Sequence, residues 1–181
     1  MLSICLSIFP SIIQANDPGY IYGVTLNGTN NDQQFFQADL QTFIVTPYPI
    51  LGPSIDVLGS AATMSGDGYF WCSLYYYANT YQPTLETRAH IRSIKKHNIT
   101  ELNDNIQEGD SIVLAGIDIT NGMVAYSYDT SQWTGQFLFI IGIYANDTNP
   151  HMIRVIGKEP KTGNQVIVEK FQNEISKIIK T

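Results

Sequence analysis

Glu86, His90, His97 and Glu101 gather, within a short stretch, four side chains of the types that hold zinc or pass protons. Their spacing decides against a metal. Two histidines share a ligand face when a helix brings them together, whereas TLETRAHIRSI, residues 84–94, alternates like a strand. No metal site is expected here. The same stretch continues as RAHIRSIKKH and holds Arg88, Arg92, Lys95 and Lys96, four of the ten formal cations of the chain. With Arg88, His90 and Arg92 on one strand face, it can meet an anionic glycan or another polyanion. Arg88, His90, Arg92, Lys95 and Lys96 are therefore the candidate binding residues.

Other chemistry finds less support. A Ser-His-Asp site needs a histidine held between nucleophile and carboxylate, and His90, His97 and His151 stand near no Gly-x-Ser-x-Gly elbow. No Gly-x-Gly-x-x-Gly or Walker loop offers a phosphate cradle. Asp39 and Asp118 are a possible acid-base pair, but each precedes a threonine (Thr42, Thr120) and then an apolar strand. Such recurrence fits carboxylates that close turns on their own backbone. Cys72, between Trp71 and Ser73 in an apolar run, reads as a buried thiol. No catalytic residue and no cofactor is assigned.

Composition bounds the rest. The chain has 181 residues, 44% of them apolar and 14% charged, with a net charge of -6. That is one folded domain of ordinary size. The negative balance argues against nucleic acid, whose phosphates are met by Lys and Arg. MLSICLSIFPSIIQA, residues 1–15, is too short to span a bilayer and reads as a secretory signal peptide. Asn27, Asn98 and Asn146 each head an Asn-x-Thr glycosylation triplet. A secreted or extracellular glycoprotein with no membrane span after leader removal is the expectation.

The elements that must position these residues are strands. Ten runs rich in Tyr, Phe, Ile and Val lie between Gly, Asn, Asp and Pro clusters: 20–26, 34–40, 43–50, 69–77, 90–94, 112–117, 123–128, 136–144, 152–156 and 165–171. One helix competes, because Phe171, Ile175, Ile178 and Ile179 are spaced three or four apart, so 172–181 is expected as a C-terminal tail or helix.

Three glycine-led aromatic segments recur: GYIYGVTLNG from Gly19, GYFWCSLYYYAN from Gly68 and GQFLFIIGIYAND from Gly135. Their leading glycines are 49 and 67 residues apart. One propeller blade takes roughly 40 to 50 residues. Units near 19–66, 67–133 and 134–171, with an insertion at 79–110, make a repeat region over 16–171. The second unit carries Asp118-Ile119-Thr120-Asn121-Gly122-Met123-Val124, and the third keeps Thr162-Gly163 without the aspartate.

With Gly68-Tyr69-Phe70-Trp71 and Gly19-Tyr20-Ile21-Tyr22, these motifs resemble the β-propeller repeats of the broad quinoprotein and YVTN-like kind. The resemblance implies an all-β fold of antiparallel meanders packed as a partial propeller, whose stacked sheets bury the aromatic runs. Propellers close with about four to eight blades, so three units imply a subunit or fragment of a larger ring, or else a different fold such as a β-sandwich. The functional expectation is a non-catalytic secreted or cell-surface module binding a protein or glycan through its loops. The alternative is part of a propeller enzyme, a hydrolase or lyase.

Overall fold

The computed structural model describes residues 19–26, 33–52, 55–77, 110–171 and 174–180. The binding set Arg88 to Lys96, the triplets at Asn27 and Asn98, the expected strand 90–94 and nearly all of the 79–110 insertion lie outside these residues.

The described chain is all-β, in three antiparallel sheets of sequential strands. Sheet I is β1 (Tyr20–Leu26), β2 (Gln33–Asp39) and β3 (Val45–Gly52). Sheet II is β4 (Ile55–Met64), β5 (Tyr69–Tyr76), β6 (Ser111–Asp118) and β7 (Val124–Asp129). One helical turn, α1 (Ser131–Thr134), leads to sheet III. That sheet is β8 (Phe139–Ala145), β9 (Met152–Lys158), β10 (Gln165–Phe171) and β11 (Glu174–Lys180).

Sheet II is the middle layer. On one face Phe70, Cys72, Leu74, Val113, Ala115 and Ile117 pack with Phe35, Tyr22, Val24 and Tyr48 of sheet I. On the other, Trp71 and Leu114 pack with Leu138, Ile140, Ile143, Ile153, Val155, Val166 and Val168 of the third layer. This explains why β5 and β6 are buried at six consecutive positions whereas β9 alternates: a strand covered on both faces needs no polar side. Cys72 is a buried free thiol, as its setting suggested.

The leading glycines Gly19, Gly68 and Gly135 all adopt positive φ, at 72°, 86° and 80°. Each precedes a strand that runs through a second strand into a turn opened by an acidic residue. The three turns share one hydrogen-bond pattern. The N–H groups of Asp39, Asp118 and Glu159 donate to the carbonyl five residues on, Ile44, Met123 and Asn164, at 3.0, 2.9 and 2.9 Å. The N–H groups of Phe43, Gly122 and Gly163 donate back to the acid's own carbonyl at 2.9, 2.7 and 2.8 Å. Leu40 and Ile119 donate to the carbonyls of Gly19 and Gly68. Pro160, at the matching place in the third turn, has no N–H to give.

The units do not stack in one sense. Tyr22 of β1 faces sheet II, and Trp71 of β5 faces sheet III. Ile140 of β8, which the acid turn places in register with them, faces back toward Trp71.

The expected C-terminal helix is a strand. β11 pairs with β10, and a register shift at Glu169/Lys170 lets Ile175 and Ile178 oppose Lys170 and Val168, two residues of the inward face. A three-residue apolar spacing therefore suits a bulged strand as well as a helix, and only the strand satisfies β10's open backbone groups. The first glycine-to-glycine stretch also holds β4, a sheet II strand that the small run Gly59-Ser60-Ala61-Ala62 hid.

Candidate functional site

The acid turns are local constructions. Asp39 Oδ1 accepts from the N–H groups of Thr42 (3.0 Å) and Gln41 (2.7 Å), which hold its carboxyl below the ordinary value of 3.8. Asp118 accepts from Thr120 Oγ1 (2.7 Å), Thr120 N–H (2.8 Å) and Asn121 Nδ2 (3.1 Å), which lower it likewise. These bonds are how each carboxylate serves its turn. The third acid, which the sequence pattern missed, is Glu159. It is fully buried, accepts from Thr162 Oγ1 and Asn164 Nδ2, and lies 2.5 Å from Lys180 Nζ. Lys180 is the largest cause of its lowered pKa. A longer acid thus replaces aspartate, and the last strand supplies its counter-ion.

The first turn is also a display. Phe43 sits at φ 58° where the other two turns have Gly122 and Gly163 at 71° and 74°. Its side chain is 82% exposed, and Ile44, Val45 and Leu40 beside it are exposed as well. A bulky residue in the left-handed region costs roughly 1–2 kcal/mol, and no burial of the ring offsets that cost. Behind this tip, Tyr48 of β3 donates to the Ile119 carbonyl at 2.6 Å and lies against Gly122, which fixes the tip's sheet to the β6–β7 turn.

Sheets II and III meet through polar groups as well as the core. Lys170 is 2% exposed, with Nζ 4.3 Å from the ring centroid of Trp71, 5.1 Å from Tyr126 and 5.6 Å from Tyr128. Burial pulls its pKa below 10.5, and the charge of Asp67 opposes that pull. Tyr69 is pushed up to about 12 by its hydrogen bond to Tyr126, with burial adding.

Nearby, Trp71 Nε1–H donates to Ser65 Oγ at 2.9 Å, and Ser65 Oγ donates to Asp67. His151 Nδ1 reaches the other oxygen of Asp67 at 2.9 Å. Asp67 therefore stands between serine and histidine. In a nucleophilic site the histidine would stand between them. Asp67 and His151 link the β4–β5 and β8–β9 turns, where Pro150 also closes on Gly66.

Asn146, the one glycosylation candidate within the described residues, heads the β8–β9 turn. Its Oδ1 accepts from Thr148 N–H (2.9 Å), Thr148 Oγ1 (2.8 Å) and Asn149 N–H (3.0 Å). It lines the rim of a 410 Å³ groove with Tyr144, Ala145, Met152, Arg154 and Ile156. Tyr144, Arg154 and Ile156 belong to the outward face of sheet III, opposite the core. Arg154 is held there by Glu169 at 2.7 Å.

Among the described residues no group of His, Cys, Asp and Glu could hold a metal ion, and no helix is long and apolar enough to cross a membrane. Comparison with protein-family models, curated proteins and solved structures gave no match for this chain. The features that sequence reasoning missed, Phe43 and the Lys170 cage, gave no local signal. One is an unremarkable Thr-Phe-Ile run, and the other joins Lys170 to Trp71, about a hundred positions away, and to Tyr126 and Tyr128, about forty away.

Proposed function

We propose that this chain is a non-catalytic binding module of the secreted or cell-surface kind, which engages a protein partner through the tip of its β2–β3 turn. The carrying observation is Phe43: at the left-handed position that the other two turns fill with glycine, it places an 82% exposed aromatic whose strain no burial of the ring offsets. Exposed aliphatic neighbours extend the ring into a small apolar patch, the kind of anchor that protein interfaces bury. The three-sheet stack supports it as a rigid frame. Secretion rests on the apolar leader and the Asn-x-Thr triplets. The cationic stretch Arg88 to Lys96 is proposed as a second contact, suited to an anionic glycan.

The test is a photocrosslinker. With p-benzoylphenylalanine at position 43, irradiation in medium conditioned by the expressing cells should give a discrete protein adduct. The same probe at exposed Lys161, in the β9–β10 turn, should not. Equal labelling at both positions, or none at 43, overturns the reading.

A further inference from the structure

We infer that the outward groove of sheet III is the seat of the chain's own N-glycan, attached at Asn146 and laid across Tyr144. The inference rests on the secretory reading, which supplies the glycan. It adds where the sugar goes and what holds it.

The acceptor is already aimed. Thr148 N–H, Thr148 Oγ1 and Asn149 N–H all donate to Asn146 Oδ1, which fixes that oxygen on the side of the turn. Nδ2, the atom that carries an N-glycan, therefore points the other way, 3.3 Å from Met152 Sδ in the groove lining. Attachment joins Nδ2 to the anomeric carbon of an oligosaccharide carried on a lipid pyrophosphate. The bond from that carbon to the pyrophosphate oxygen breaks, and the amide gives up one proton.

From Nδ2 the groove runs along the outer face of the sheet. Asn146 N–H donates to the Met152 carbonyl at 3.0 Å, then Tyr144 stands opposite Arg154 and Gly142 opposite Ile156. Tyr144 lies down over Gly142, where a Cβ would come within 2.7 Å of the ring. One side of the ring is thus turned to the sheet, yet Tyr144 is still 56% exposed. The open face of an aromatic ring carries negative potential and attracts the C–H groups of a sugar. Arg154 commits Nε and Nη2 to Glu169, and the rest of its five-donor fork suits sugar hydroxyls. At 410 Å³ the groove falls in the range of roughly 300–1,000 Å³ that small-molecule sites occupy, so the first sugar has room. Because the sugar is tethered at the rim, contacts too weak to hold it free in solution become intramolecular.

The test uses the full chain with Asn27→Gln and Asn98→Gln, which leave Asn146 as the one Asn-x-Thr acceptor in the sequence. It is made in a host that glycosylates and in one that does not. Peptide mass spectrometry reads occupancy, and an endoglycosidase trims the glycan to its first sugar. The trimmed protein should unfold at higher urea than the bare one. Tyr144→Phe should keep most of that rise and Tyr144→Ala should lose most of it, with the bare form of each variant closing the cycle. A rise that survives Tyr144→Ala unchanged, no rise at all, or a secreted chain with Asn146 bare overturns the inference. Each of those results, obtained on secreted protein, leaves the secretory reading standing. A chain that the glycosylating host retains without a glycan removes both.

Discussion

Phe43 occupies in the β2–β3 turn the place that Gly122 occupies in the β6–β7 turn: both donate N–H to the acid four residues back, and both have positive φ. Their surroundings are opposite. A Cβ built on Gly122 would lie 2.3 Å from Tyr48 Cβ, whereas Phe43 projects into solvent.

Gly122→Ala should therefore cost both left-handed strain and a clash, roughly 2–5 kcal/mol by urea denaturation. Gly135→Ala has similar φ but nothing within 4 Å of its Cβ, so it should cost only about 1–2 kcal/mol. Equal losses would show that Tyr48 does not restrict the turn. Phe43→Gly should lose no more than about 1 kcal/mol, since relieved strain offsets the added freedom of the unfolded chain.

The acid turns set a pH limit. Asp39, Asp118 and Glu159 have folded pKa values below the ordinary 3.8, 3.8 and 4.5. Between the lowered and ordinary values the unfolded chain binds more protons, so their contribution is complete above the ordinary values and lost as pH falls through the lowered ones. The urea midpoint should fall below about pH 4. Lys180→Met should lower the midpoint at pH 7 and shrink its drop between pH 5 and pH 3. An unchanged acid profile would remove the Lys180–Glu159 pair as a cause.

Lys170 predicts a dependence of the same sign at the other end of the pH range. Its folded pKa lies below 10.5, so the folded state resists its charge, and stability from this group rises as pH climbs through the lowered value toward 10.5. Lys170→Met keeps the stem's packing and removes the titration. Wild type should gain stability relative to Lys170→Met as pH goes from 8 to 10, read from paired urea midpoints. A constant difference would contradict the burial of the ammonium.

At the junction of sheets II and III, Ser65→Ala should cost about 1–3 kcal/mol, because Trp71 Nε1–H loses its buried acceptor. His151→Ala removes a half-exposed hydrogen bond and should cost about 1 kcal/mol or less. Thermal denaturation of the two variants ranks them. A larger loss from His151→Ala would make the Asp67 contact the main lock.

Much of the fold was legible in the sequence. The strands at 20–26, 69–77 and 165–171 sit within one residue of their expected bounds, and Asp39 and Asp118 close turns as their repetition implied. What escaped is instructive. Ile175 and Ile178 repeat at three, which a bulge converts into a strand face, and a single-sequence pattern carries no mark of a bulge. Glu159 was passed over as a different residue type, although its extra methylene reaches the same turn partners and Lys180 besides. The Phe43 tip depends on a backbone angle, and the Lys170 cage on three rings from sheet II. Neither leaves a trace in hydropathy.

The middle position of sheet II has a consequence for how the chain is made. Phe35 is buried with Phe70, about 35 positions later in synthesis, and with Val113, Ala115 and Ile117 of β6, some eighty positions later. At roughly 5–20 residues per second on the ribosome, the aromatic face of sheet I waits for several seconds before its cover emerges. During that interval it is a ready client for a chaperone.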